Sequence, residues 1–204
     1  MSDKESQTPR VFIMRHGETE WSQAGRLTGS TEIDLNEKGE QQVAAAAKAH
    51  AGAGKTIDPK RLVLVIVSPR KRAQHTLNLF LPMSDDGDQM PEVVVNDDIA
   101  EWDHGEYEGL TKEKIRERRW AMGLDKGTGW DIWRDGCARG ESNQQVTARV
   151  DRVISQIRNK QSRYMNGERP ADVLVVGFRP VESGSSIHCS SPVHSCSWLR
   201  AGIL

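Results

Sequence analysis

Three short stretches carry residue types that can do chemistry together. VFIMRHGETEW (residues 11–21) ends an apolar run on Arg15, His16 and Gly17; SPRKRAQHT (68–76) and EWDHGEYEG (101–109) each follow a further apolar run. Guanidinium groups present planar forks of donors that match phosphate oxygens, and a neutral imidazole can attack phosphorus to give a phosphohistidine. Gly17 permits close backbone approach. Glu101, Glu106 and Glu108 bring carboxyls to the same edge. Glu101 is the candidate to protonate a leaving alkoxide and later to deprotonate the water that hydrolyses the phosphoenzyme. Trp102 beside it predicts a partly apolar pocket able to raise the carboxyl's pKa. Each stretch alone is equally a solvated turn or a surface carboxylate; their combination is what points to phosphoryl transfer.

Such tips need a sheet behind them. VFIM reads as a first strand, and RLVLVIVS (61–68) is too short for a core helix and too β-branched for a loop, so it predicts a strand buried on both faces. EVVVN and DVLVV (172–176) predict two more. Between them, Asn36 is placed to cap the Ala-rich helix NEKGEQQVAAAAKAH, whose first turn carries Glu37 and Glu40 and whose last residue is the cation-capable His50. A second helix is expected from about Arg70 to Leu81. A third is expected after Glu141 or Ser142, with Val146, Val150, Val153, Ile154 and Ile157 as its apolar stripe. Residues 18–35 and SDDGDQMP read as loops. Strands alternating with helices imply an α/β fold whose mostly parallel sheet is covered on both faces and binds ligands at its carboxyl edge. No repeat and no second domain are visible.

Bulk properties restrict the partners. With 204 residues the chain fits one domain, and 28 Lys+Arg against 29 Asp+Glu leave no overall field for nucleic acid or an anionic membrane. No run approaches the roughly 20 apolar residues that cross a bilayer, and the polar opening lacks a signal peptide's apolar region. These features predict a soluble, cytoplasmic protein, with an additional nuclear location as the secondary expectation. Cys137, Cys189 and Cys196 lack CxxC spacing and predict reduced thiols. The charge run KEKIRERRW (112–120) is broken by Glu113 and Glu117 and reads as a solvated helix face. Trp130 and Trp133 are assigned to packing rather than sugar stacking. His75 and His104 are expected near the crevice, His104 as an exposed loop residue, with assistance to Glu101 as the alternative.

RHGETEW, LTGSTEIDLNEKGEQQ, SPRKRAQHT, EWDHGEYEG and GCARGES, in this order, resemble the histidine phosphatase superfamily, which includes the cofactor-dependent phosphoglycerate mutases. The resemblance covers roughly residues 11–177. TEWSQAGRLTG, EWDHGEYEGLT and GWDIWRDGCARGES are similar to its sedoheptulose 1,7-bisphosphatase branch, which hydrolyses the 1-phosphate of a ketose bisphosphate. The resemblance implies a three-layer α/β sandwich, His16 as phosphate-accepting nucleophile, Arg15 and Arg72 as phosphate clamps, and Glu101 as proton donor. Ser22, Thr28 and Gly29 match loop positions that touch the substrate phosphate. The expected substrate is a small phosphorylated sugar. No metal or cofactor is expected, because the arginines neutralise the transferring group.

The pattern breaks after the fourth strand. Family members carry a second histidine followed by glycine there, whereas this chain reads Gly177-Phe178-Arg179-Pro180. Phenylalanine offers neither a donor nor a charge, and Arg179, His188 and His194 are not assigned its role. Residues 1–10 are expected to be disordered, 11–177 to form the domain, and 178–204 to be an irregular tail foreign to it, as a shifted reading frame or a splice variant produces; a genuine divergent tail is the alternative. The expected fold is accordingly C-terminally incomplete. Three functions follow: a sugar bisphosphate phosphatase, impaired by loss of the second histidine; a mutase of the same chemistry; and a non-catalytic remnant that binds a phosphorylated ligand or a partner.

Overall fold

The computed structural model describes residues 8–82, 90–125, 127–165 and 169–177. Four strands, β1 (Val11–Arg15), β2 (Leu62–Val67), β3 (Glu92–Val95) and β4 (Asp172–Gly177), form one sheet in the order β1-β4-β2-β3, and every pairing is parallel. Among the described residues the last strand, β4, thus inserts between the first two. It is buried along its whole length, as the apolar run Val173–Val176 requires of a central parallel strand.

Side-chain alternation divides the sheet between two layers of helix. Met14, Val65, Val67, Leu174 and Val176 face one core, with Val43 of α2 (Glu37–His50) and Ala73, Leu77 and Phe80 of α3 (Lys71–Phe80). Leu64, Ile66, Val173 and Val175 face the other, with Val153 and Ile157 of α6 (Asn143–Ser162). The result is the three-layer α/β sandwich expected. Leu62 breaks the period-2 rule, because it shares parity with Leu64 yet joins the opposite core. A register shift between these two residues supplies the extra step.

A third cluster sits apart from the sheet. Trp102, Tyr107, Ile115, Trp130, Cys137 and Val146 pack together, joining α4 (Lys112–Ala121) and α5 (Ile132–Asp135) to the first turns of α6. Both tryptophans assigned to packing lie here: Trp130 meets Tyr107 edge-on at 5.5 Å, and Trp133 meets Trp102 at 5.0 Å. In α4 only Ile115 is buried, so the charge run is a solvated face.

The stretch 18–35 differs from the continuous loop expected, since it contains the short helix α1 (Glu20–Gln23) with a Thr19/Ser22 capping box. Cys137 is free and buried, and burial pushes its thiol up to about 12. Among the described residues no helix is long and apolar enough to cross a membrane. Phe178, Arg179, His188, His194, Cys189 and Cys196, most of the loop SDDGDQMP and most of the N-terminal segment lie outside the described residues.

Candidate active site

Parallel strands place their carboxyl ends on one edge, and the register brings the relevant tips together. Arg15 pairs with Gly177, and the Ser68 N–H donates to the Val176 carbonyl, so the ends of β1, β4 and β2 are adjacent. The chain leaves β1 through Arg15-His16-Gly17, where two glycines let α2 close on the loop. A Cβ on Gly17 would lie 2.6 Å from the Gly39 carbonyl oxygen, and one on Gly39 would lie 2.1 Å from the Glu18 oxygen. Gly17 N–H donates to Thr76 Oγ1, and Thr76 in turn donates to the Arg72 carbonyl one helical turn back. The histidine loop is therefore tied to the helix that carries Arg72.

His16 is half-buried, with Nδ1 2.8 Å from the Gly17 carbonyl oxygen. A carbonyl can only accept, so Nδ1 carries the proton and the neutral ring presents its lone pair at Nε2. Burial lowers the ring's pKa, and the Arg15 and Arg72 guanidiniums lower it further against the opposing Gly17 bond, to about 4. At neutral pH the imidazole is uncharged, with the Arg15 and Arg72 cations near enough to disfavour its protonation.

Arg72 is 1% exposed. Its Nη1 donates to the Thr31 carbonyl at 3.1 Å, and Nη2 donates to those of Thr28 at 3.1 Å and Gly29 at 3.0 Å. Nε is buried with no partner among the described residues, as is Arg70 Nε. A buried cationic donor left unmade costs free energy, and an anionic oxygen satisfies it. Glu101 exerts the strongest favourable charge effect on Arg72, ahead of Glu32 and Glu108. Arg72 is thus coupled to both His16 and Glu101. Arg70 pairs with Glu32 at 3.0 Å on the outer side of the same loop.

The other expected positions are committed to local structure. Ser22 Oγ donates to the Thr19 carbonyl and accepts from the Thr19 N–H, which leaves it serving the α1 cap. Thr28 and Gly29 present carbonyls to Arg72, while the Gly29 N–H donates to Glu108. Glu108, mentioned with the other carboxyls but given no role, accepts from the N–H groups of Gly29 and Thr31 and so holds the loop that holds Arg72. Burial alone would raise its pKa, but the adjacent His104 ring and the Thr31 and Gly29 N–H groups outweigh this and hold it at about 2.

Two expectations are corrected. His104 is 4% exposed rather than a surface loop residue. It begins the 3-10 turn Gly105–Tyr107, and its Nδ1 faces Glu108 Oε2 at 3.5 Å, without a hydrogen-bond partner among the described residues, instead of extending into solvent. Trp102 does not wall Glu101: its ring turns into the third cluster against Trp133, and its Nε1 donates to the Glu141 carbonyl. Neither burial was readable from residue type, because both lie in a segment without periodicity. Thr76 did carry a signal, since it stands four residues after Arg72, where a helical hydroxyl can bond back to that carbonyl.

A neutral imidazole at the end of β1, under the influence of the Arg15 and Arg72 guanidiniums, stands at the carboxyl edge of a parallel α/β sheet. The chain belongs to the histidine phosphatase superfamily (branch 1), whose sequence pattern it matches over residues 11–177. It is 40% identical over 171 residues to sedoheptulose 1,7-bisphosphatase of Saccharomyces cerevisiae, covering 83% of this chain and 63% of that one. It is 38% identical over 146 residues to an acid phosphatase of Mycobacterium tuberculosis, covering 72% and 62%. The chain therefore spans less than two thirds of the length of these relatives. A solved structure of a Mycobacterium tuberculosis open reading frame product superposes with a TM-score of 0.63 at 34% identity, covering 83% of this chain and 74% of that one.

Proposed function

We propose that this chain is a phosphomonoester hydrolase of the sedoheptulose 1,7-bisphosphatase kind, working through a phosphohistidine at His16. The observation that carries the reading is the tautomer lock: Nδ1 bonded to Gly17, Nε2 free to attack, and two guanidiniums beside it. In the first step Nε2 attacks phosphorus, the bond to the sugar oxygen breaks, and the Glu101 carboxyl gives its proton to the leaving oxygen. Arg15 and the unpartnered Nε of Arg72 face the equatorial oxygens and stabilise their charge. In the second step the Glu101 carboxylate takes a proton from water, whose oxygen attacks phosphorus, and the N–P bond breaks to restore the neutral imidazole. Similarity to the yeast bisphosphatase favours a ketose bisphosphate as substrate.

Phe178, where the family has a second histidine, favours a second reading: a chain that binds the phosphorylated ligand and turns it over slowly or not at all. Loss of one charge-stabilising donor lowers kcat by about 10²- to 10³-fold. Phosphate release from sedoheptulose 1,7-bisphosphate and from phosphoglycerates, measured side by side on the purified chain, tests both readings. Release from the ketose bisphosphate, abolished by His16→Ala, is expected. Phosphoglycerate interconversion without release makes the chain a mutase, and saturable ligand binding with no turnover makes it the remnant.

A further inference from the structure

Glu101 lies on an irregular segment, yet proton transfer requires its carboxyl to be held within hydrogen-bonding reach of the leaving oxygen. What fixes that segment is a partly buried ion pair at the start of α6. Arg149 lies in the second turn of α6 and is 7% exposed. Its Nη1 donates to the carbonyls of Asp98 at 2.9 Å and Ala100 at 2.6 Å, the latter belonging to the residue immediately before Glu101. Its Nε and Nη2 form a two-pronged bond with the Glu141 carboxylate at 2.8 and 2.9 Å. Glu141 then grips the other flank. Its Oε2 accepts from the Asp103 N–H at 3.0 Å, its N–H donates to the Asp103 carbonyl at 2.9 Å, and its own carbonyl accepts from Trp102 Nε1 at 2.9 Å. Backbone groups on both sides of Glu101 thus end on one Arg149–Glu141 unit.

We propose that Arg149 and Glu141 are positioning residues that aim the Glu101 carboxyl at the leaving oxygen, a role that rests on Glu101 being the proton donor. A planar guanidinium is suited to it, since one fork binds a carboxylate while the remaining nitrogen reaches two carbonyls. Lysine, a single point of charge, cannot reproduce this. The neighbouring Arg152 marks the contrast. It lies one turn further along α6, pairs with the Asp98 carboxylate and reaches the Ala148 carbonyl of its own helix at 3.4 Å, with its side chain 62% exposed. Screened by solvent, that pair contributes little to fixing the backbone. Glu141 also precedes Ser142, the cap of α6, so the long helix begins where the grip on Glu101 is made.

Leaving-group dependence separates misplacement of an acid from general damage. A sugar alkoxide needs a proton to depart, whereas p-nitrophenolate does not. The ratio of kcat for sedoheptulose 1,7-bisphosphate to kcat for p-nitrophenyl phosphate is therefore the readout, taken on the full chain. Glu101→Gln is expected to lower the ratio by about 10²-fold. Arg149→Met and Glu141→Gln are expected to lower it at least tenfold, Arg149→Met added to Glu101→Gln to lower it no further, and Arg152→Ala to leave it unchanged. In parallel, amide hydrogen exchange on Arg149→Met is expected to speed up at Trp102 and Asp103 at least tenfold, with the β4 amides unchanged. This arm needs no turnover, so unchanged exchange at Trp102 and Asp103 overturns the inference even in an inactive chain. A ratio that falls with Glu101→Gln but not with Arg149→Met overturns it as well. A ratio unmoved by Glu101→Gln instead removes the proton-donor reading, and the positioning role with it.

Discussion

The proposed nucleophile is held in its reactive form by a carbonyl that fixes the tautomer and by burial, which opposes protonation with help from the Arg15 and Arg72 cations. His16 keeps a pKa of about 4 in the fold, against 6.5 for the free side chain. Because the folded value is the lower one, the unfolded chain binds more protons between these two pH values, and stability falls as pH drops from about 6.5 towards 4. His16→Gln removes that slope. The wild-type and variant urea midpoints should therefore be offset differently at pH 7 and pH 5, with the wild type losing relative stability by at most about 2 kcal/mol at the lower pH. Equal offsets at both pH values would show that the ring is not buried among cations. Glu108 is the residue whose loss should reach Arg72 without touching ligand. Glu108→Ala leaves the Gly29 and Thr31 N–H groups without their acceptor and should cost about 2–3 kcal/mol. Glu108→Gln, which keeps one acceptor, should retain the fold but bind vanadate more weakly, as isothermal titration would register.

At the level of elements, the site is made by how closely α2 approaches the histidine loop. Gly39 is buried inside that helix, where alanine would ordinarily be favoured by about 1 kcal/mol. Here the added methyl would fall 2.1 Å from the Glu18 carbonyl oxygen, a backbone atom that cannot swing aside. Overpacking of this kind costs about 1–3 kcal/mol and outweighs the propensity gain, so Gly39→Ala should lower the thermal midpoint and displace Gly17 from Thr76. A raised midpoint would mean that the helix does not press on the loop. The sheet and its flanking helices were legible in the sequence because apolar periodicity reports them directly: β4 reads as a strand, and the stripe through Val146, Val153 and Ile157 reads as the face of α6, while the central place of β4 came only with the structure. The irregular stretches were not. The burial of His104 and the turn of Trp102 depend on contacts with Gly29, Trp133 and Glu141, distant in sequence and without period. Arg149 did carry a signal, since a charge three residues after Val146 and four before Val153 interrupts the buried stripe of α6 and has to find partners indoors.

Across the whole molecule, the edge of the sheet opposite the site is fixed by one carboxylate. Asp172 opens β4 at 1% exposure and binds Arg10, next to the start of β1, at 2.6 Å and Arg61, next to the start of β2, at 3.1 Å. It also accepts from the Arg10 backbone N–H at 3.0 Å. These bonds settle which strands flank β4 and in what register, and the register is what sets Arg15 beside Gly177 at the other end. Asp172→Ala leaves two partly buried guanidiniums facing each other without their shared anion, which should cost about 3 kcal/mol. Asp172→Asn keeps the volume and an acceptor but not the charge, and should cost less. If the carboxylate acts through register, both variants should weaken vanadate binding at the distant site in the order that they lower the urea midpoint. Equal vanadate affinity in a destabilised Asp172→Ala chain would show that apolar alternation alone aligns the strands.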